Sequence, residues 1–357
     1  MKRLHTNFVW ALTGEPQEML VENGRVVARG TAVEGYYDDK VDHGGRRLAP
    51  SFIDSHCHIL PTGLDLLKLH LGAATSPENV LDLLSKRNRE AQEGWLLAVH
   101  YDHNRFESGR HLTKTELDRI SLERPVFIRH VSGHSGVANS AALELADISA
   151  ATPDPIGGTF VRGEDGAPNG VLLETAMNPV EKAMPMPTLE EMVSAILAAG
   201  VSMREWQIVN ASDMQTGSFD LMTELEAYRL AAERGCKIDT RLYMNWSRVF
   251  GPKKAMGVEA GLAMLDGERC RVGGIKLFAD GAVGSGTAAI YGAYAGQETH
   301  GQYAGTLIYP PEVLKARVVE AADAGYQVSV HAIGDYAIDL VMDAFEATDN
   351  PSHHRLE

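Results

Sequence analysis

The stretch Phe52-Ile53-Asp54-Ser55-His56-Cys57-His58-Ile59-Leu60 decides how this chain is read. Side chains alternate across a β-strand, so His56 and His58 share one face and Cys57 takes the other. Two neutral imidazoles converging at a strand end suit a zinc-like cation. The bland alternative is two unrelated polar residues at a strand-to-loop junction. The apolar strand before them and Asp54 favour the ligand reading. Cys57 is expected to be a small packed residue on the opposite face.

Two later stretches place further candidates at strand ends. In GGIKLFADG, residues 273–281, Lys276 stands between Ile275 and Leu277, where a charged ammonium is costly to bury. It is either a lysine snorkelling from a sheet edge or an amine held neutral and carboxylated by carbon dioxide. The second form is a carboxylate-like ligand able to bridge two metals, and Lys276 alone does not choose between them. In YQVSVHAIGD, residues 326–335, His331 ends an apolar run just before Gly334 and Asp335. A lone histidine there reads equally as a satisfied core residue. Catalytic groups gather at strand C-termini in α/β barrels, however, and three strand ends delivering candidates read better together.

The text around these strands alternates helix and strand. Thr188 and Glu191 form a capping box opening a helix expected to end at Gly200, with residues 201–209 as the next strand. Further helices are expected to end at Gly235 and Gly325, each followed by a strand, and a last one begins near Tyr336. Helix–Gly–strand junctions of this kind indicate repeated α/β units and a parallel sheet. Residues 1–50 read as a small β part, with a hairpin at Asn23-Gly24 and a second turn at Asp42-His43-Gly44-Gly45. Residues from about 66 to 187 lack the α/β beat. They hold a helix capped by Ser76 with Pro77 at its first position and Gly94 after its end. Strands follow around residues 95–102 and 125–131, then a Gly/Pro/Asp-rich stretch at 152–170. The expected organisation is 1–50 as the N-terminal part and 51–357 as a (β/α) barrel carrying an insertion at about 66–187.

Composition narrows the function. The 357 residues carry 33 basic and 48 acidic side chains, a formal charge of −15, with 44 % apolar and 23 % charged types. That excludes disorder and argues against nucleic-acid binding, which needs clustered Lys and Arg. Three cysteines cannot build a disulfide framework, so a reducing, cytoplasmic compartment is expected. No signal peptide and no membrane-spanning apolar run is read. No G-x-S-x-G elbow and no G-x-G-x-x-G after the first strand occurs, against a serine hydrolase or a dinucleotide enzyme.

The HxH pair after an apolar strand, KLFADG at 276–281 and VHAIGD at 330–335 together resemble the amidohydrolase superfamily. They are most similar to its N-substituted formamide deformylase-like (YtcJ-like) branch, and the insertion segments 125–148 and 152–174 resemble that branch too. The resemblance runs from Leu48 onward. It implies an α/β fold, a TIM-like (β/α) barrel with a small N-terminal β-sandwich part. It makes His56, His58, Lys276 and His331 metal ligands, with Lys276 carboxylated where it bridges metals. It gives Lys276 and His134 catalytic roles and faces Asn139 towards substrate. The implied cofactor is a divalent metal, zinc, as one or two ions. The implied reaction is hydrolysis of a C–N bond, of amide or N-formyl type, in a small molecule, by water whose pKa the metal lowers from about 15.7 towards ~7. A small-molecule substrate, no nucleic acid, no membrane and room for a homo-oligomer are expected. The runners-up are an isomerase or C–O hydrolase on the same scaffold, and a truncated, non-catalytic metal-binding protein.

The sequence departs from the family pattern in three places. Ser285-Gly286-Thr287 stands where the family carries Ser-Arg-Thr, so a guanidinium contact is missing. Residues 99–104, VHYDHN, replace a segment rich in Gly and Trp. The family's sixth-strand histidine and eighth-strand aspartate have no counterpart, and His353 and His354 are weak substitutes. The apparently incomplete barrel predicts that these 357 residues alone are inactive or very weak.

Overall fold

Alternation of buried Leu4, Thr6 and Phe8 with their neighbours makes Lys2–Trp10 the first strand, β1. β2 (Pro16–Glu22) and β3 (Arg25–Gly30) form the expected hairpin, with Asn23 (φ 49°) and Gly24 (φ 78°) supplying the two positive φ values of a type I′ turn. β4 (Asp39–Leu48) pairs parallel to β1, giving the order β3-β2-β1-β4. Asp42-His43-Gly44-Gly45 is not a turn. Gly44 (φ 59°) and Gly45 (φ 76°) lie inside β4, where the register with β1 slips between Thr6 and Phe8, so the glycines form a bulge. The sandwich expected from the resemblance is represented here by this one sheet.

The computed structural model describes residues 1–357 apart from 91–93, 156, 264, 266, 268, 284–285 and 296–301, and the side chain of Ala260. The chain divides into two compact units, Met1–Ile53 with Gln207–Val209, and Asp54–Trp206 with Asn210–Glu357. β5 (Phe52–Cys57) carries the HxH motif into α1 (Ile59–Leu67).

The next six strands build a sheet of their own. They are β6 (Leu69–His70), β7 (Leu96–Tyr101), β8 (Val126–His130), β9 (Ser135–Ala138), β10 (Gly158–Arg162) and β11 (Pro168–Glu174). Their order is β10-β11-β9-β8-β7-β6, with β6, β7 and β8 parallel and the remaining pairs antiparallel. Both faces are covered: Val126 and Ile128 enter one apolar cluster with Leu84 and Leu96, while Phe127 enters another with Leu143 and Phe160. α2 (Pro77–Glu90) begins as expected, Ser76 Oγ accepting from the Asn79 N–H at 3.2 Å.

The chain then returns to the sheet of β5. α3 (Leu189–Glu205), β12 (Ile208–Thr216), α4 (Leu221–Glu233), β13 (Asp239–Asn245) and β14 (Cys270–Phe278) follow in turn. A short hairpin, β15 (Ile290–Tyr291) and β16 (Tyr303–Ala304), precedes α5 (Pro311–Asp323), β17 (Val328–His331), α6 (Asp335–Glu346) and β18 (Arg355–Leu356). The order is β5-β12-β13-β14-β17-β18, parallel from β12 to β18, a parallel half-barrel. It curls enough for its two edge strands to meet: an Arg355 guanidinium N–H donates to Ser55 O at 2.7 Å.

The Thr188–Glu191 capping box is present, but the helix does not stop at Gly200. It continues to Glu205 because Gly200 serves packing: a Cβ there would lie 2.8 Å from Cys236 Sγ. α1 lies against α3 equally closely, and a Cβ on Gly63 would meet Ala195 O at 2.0 Å.

Candidate metal centre

β5 ends at Cys57 and α1 starts at Ile59, so His58 stands at the strand-to-helix junction. The His56 and His58 ring centroids are 5.8 Å apart and the rings nearly perpendicular. His56 Nδ1 donates to Glu357 Oε2 at 2.5 Å, a contact made by the curl of the sheet. Cys57 points away, its Sγ 3.3 Å from Ser212 O. His58 Nδ1 is buried with no hydrogen-bond partner. Burial lowers the His58 pKa, Asp213 opposes the shift, and the nearby His56 and Lys276 reinforce it. The ring is therefore neutral at pH 7, the form that ligates a metal.

Asp213, which nothing in its local sequence singles out, is the residue that fixes this junction. It is 1 % exposed and accepts from the Ile59 N–H at 3.1 Å, the Gln215 N–H at 2.9 Å and the Tyr228 hydroxyl. Its carboxyl pKa is raised by burial, against the pull of these donors. A carboxylate on β12 thus holds the first turn of α1 and sets where His58 points.

Lys276 lies on β14, in register with Asn245 on β13 and Ser329 on β17. It is 1 % exposed and its Nζ has no hydrogen-bond partner. This rules out the snorkelling alternative. Burial brings its pKa down to about 8, with Glu357 raising it and Arg355 lowering it. On the order of a tenth of the side chain is then free amine at pH 7.

His331 ends β17, where its Nε2 donates to Gly281 O at 2.9 Å and its ring lies 5.5 Å from Phe278. The loops that follow Lys276 and His331 are joined by Asp280, which is buried. Asp280 accepts from the Ala289 and Gly334 N–H groups, each at 2.8 Å, and from the Ile333 N–H at 3.0 Å. Gly334 has no room for a side chain, since a Cβ would meet Ala289 O at 1.9 Å.

Charge interactions thus link His58 to Asp213, His56 and Lys276, and Lys276 to Glu357, which also holds His56, while His331 Nε2 turns to a carbonyl. The other expected residues stand in the insertion. His134 is exposed and pairs with Glu174 Oε2 at 2.9 Å. Asn139 does not face a substrate. It is fully buried as the N-cap of the helix Ser140–Leu145, accepting from the Val126 and Ala142 N–H groups and donating to Ser121 O and Arg124 O. Ser285 lies outside the described residues.

Among the described residues, one group of three His, Cys, Asp or Glu side chains has all its ligand atoms within 4.8 Å of one another: Asp102, His103 and His130. Its signal was in the sequence. Asp102-His103 follows the apolar strand β7 and His130 ends β8, the same strand-end logic that picked out His56 and His58.

A curled parallel sheet of this kind recurs in a known structure. The chain superposes over its whole length on 70 % of an uncharacterized metal-dependent hydrolase from Pyrococcus horikoshii OT3, with a TM-score of 0.72 and 24 % identity. The chain belongs to the amidohydrolase family, whose profile matches residues 39–356. It is 31 % identical over 366 residues to YtcJ of Bacillus subtilis, named an amidohydrolase, covering 99 % of this chain and 67 % of that protein. It is 29 % identical over 352 residues to the N-substituted formamide deformylase of Arthrobacter pascens, covering 94 % of this chain and 63 % of the deformylase. The chain thus spans about two thirds of the length of these relatives. Among the described residues, no helix is long and apolar enough to cross a membrane.

Proposed function

We propose that the chain carries the metal-binding strand ends of a hydrolase that cleaves a C–N bond, of amide or N-formyl type, in a small molecule. The observation that carries this reading is the pair of buried, unpartnered nitrogens, His58 Nδ1 and Lys276 Nζ, in the same sheet whose strands β5 and β17 present His56 and His331. Buried polar atoms without partners are rare and call for an explanation. Their donor set fits a divalent cation, for which imidazoles and a carboxylated lysine are suitable ligands and zinc the suitable metal.

His56, His58, Lys276 and His331 would hold the cation. When bound, it supplies Lewis-acid polarisation and lowers the pKa of water towards ~7. The chain's own residues set the conditions. Asp213 holds the His58 junction through the Ile59 N–H, and Glu357 fixes the His56 ring through Nδ1. Burial leaves the Lys276 amine able to lose its proton and take up carbon dioxide, with Arg355 nearby to offset the carbamate charge and Glu357 opposing it. Asp280 fixes the loops beyond Lys276 and His331. His134, hydrogen-bonded to Glu174, is the insertion's candidate for proton transfer or substrate contact.

Metal uptake tests the reading. Chelator-treated protein should take up Zn2+ at this site, and the His56→Ala/His58→Ala variant should lose that uptake. Equal uptake at the strand ends in both proteins overturns it. These 357 residues alone should release little or no amine from N-formyl or N-acyl amines; release above a His58→Ala control would mark C–N hydrolysis and overturn the expected inactivity. Alcohol released from esters alone would favour the C–O alternative.

A further inference from the structure

The insertion holds a second set of ligand-type side chains that the strand-end reading does not use. Asp102 follows β7 and His103 opens the single turn His103–Arg105, while His130 ends the neighbouring parallel strand β8. The β7–β8 register sets Tyr101 opposite His130, which brings Asp102 beside it. Asp102 and His130 thus stand at the carboxyl ends of neighbouring parallel strands.

Two buried nitrogens in this group lack partners, His103 Nδ1 and His130 Nε2. The His130 side chain is 8 % exposed, and its Nε2 faces Asp102 Oδ1 at 3.4 Å, beyond a good hydrogen bond. Ligand atoms held at about 2.0–2.2 Å by a tetrahedral Zn2+ stand roughly 3.4 Å apart. Two imidazoles and one carboxylate form a known donor set for zinc, one that leaves a further position open.

Surrounding contacts hold these ligands. Asp102 Oδ1 accepts from the Asn104 N–H at 3.0 Å. The His103 ring is stacked on His111, with centroids 3.7 Å apart, and His111 Nδ1 lies 3.4 Å from the Tyr101 hydroxyl. His130 Nδ1 accepts from the Ser132 N–H at 3.1 Å and lies 2.8 Å from Ser132 Oγ. With Nδ1 accepting, the neutral ring carries its proton on Nε2, facing Asp102. A cation at Nε2 requires that proton to move to Nδ1, where Ser132 Oγ would accept it and the Ser132 N–H contact would be given up. Asp102 is only partly buried and provides a path from solvent.

We propose that Asp102, His103 and His130 bind one Zn2+-class cation, with the open position available to water or to an anionic oxygen. This site shares no residue with the strand-end set and does not depend on its being occupied.

The test uses the full 357-residue chain with His56→Ala and His58→Ala, so that the strand-end site is disabled. After chelator treatment, this protein is titrated with Co2+ and followed by its visible d–d absorption, then with Zn2+ in competition with a chromophoric chelator. One equivalent is expected. Adding His103→Ala or His130→Asn should weaken binding by more than about 100-fold, and Ser132→Ala by about 10–100-fold. Far-UV circular dichroism identifies variants that remain folded, and Asp102→Asn gives a near-isosteric variant that should also lose binding. Failure of the folded background protein to take up metal overturns the proposal. So does undiminished uptake by folded His103→Ala and Asp102→Asn proteins. Neither result bears on the strand-end reading, which the unsubstituted histidine pair tests separately.

Discussion

Gly63→Ala is expected to unsettle the HxH junction from the far side of the first helix. A Cβ on Gly63 would lie 2.0 Å from Ala195 O and 2.4 Å from Ala195 C, where ordinary contact begins near 3.4 Å. The obstacle is the backbone of α3, which cannot rotate away as a side chain would, so α1 must move by more than an ångström. Overpacking of this kind costs about 1–3 kcal/mol, occasionally more. Replacing glycine by alanine inside a helix returns about 1 kcal/mol. With the backbone as the obstacle, we take the upper part of that range and expect a net loss of about 2 kcal/mol. Gly200→Ala is the companion substitution, since its Cβ would meet Cys236 Sγ at 2.8 Å and that side chain has one rotatable bond. Its cost should be smaller, within about 1 kcal/mol of wild type. Urea denaturation followed by circular dichroism reads both. Because α1 begins at the residue after His58, Gly63→Ala should also weaken Zn2+ binding at the strand ends. A Gly63→Ala midpoint at or above wild type, or a larger loss for Gly200→Ala, would refute the reasoning.

Three further outcomes follow. Asp280→Asn should destabilise by about 1–3 kcal/mol in urea, because its amide group turns a donor towards one of three backbone N–H groups, and Asp280→Ala should cost more. Glu224 is buried and holds the loop after β12 through the Gly217 and Phe219 N–H groups, and burial raises its pKa to about 7. The native state thus keeps a proton that the unfolded chain has lost, so stability should fall between about pH 4.5 and 7, by at most ~1.4 kcal/mol per pH unit. Glu224→Gln should flatten that decline in denaturation midpoints measured across the window. Finally, Zn2+-loaded protein equilibrated with 13C-bicarbonate should show a carbamate carbon signal by NMR, absent from Lys276→Met.

Much of the site could be read from local context. His56, His58, Lys276 and His331 stand out because each ends or interrupts an apolar run, and such runs made the strands legible. The misreadings arose where a distant partner decides the outcome. Gly200 looks like a helix stop until Cys236, 36 residues later, is seen to occupy the space its Cβ would need. Gly44-Gly45 looks like a turn until β1 is found pairing on both sides of it. Asn139 looks like a site residue in its SGHSGVANS setting, yet its amide holds the backbone of Ser121, Arg124, Val126 and Ala142. Asp213 and Asp280 show the converse. A single aspartate within a strand or in the loop after one gives no hint of the N–H groups that fold back onto it. Asp102, His103 and His130 were split between two strands, and only the parallel pairing of β7 with β8 brings them together.

The central claim is that the ends of the curled sheet hold a divalent cation between His56, His58, Lys276 and His331. Anomalous scattering at the zinc edge from crystals grown with Zn2+ tests it most directly. A peak bounded by those four side chains, with Lys276 carboxylated, is expected. Anomalous density confined to the insertion, or none at the strand ends, would contradict it.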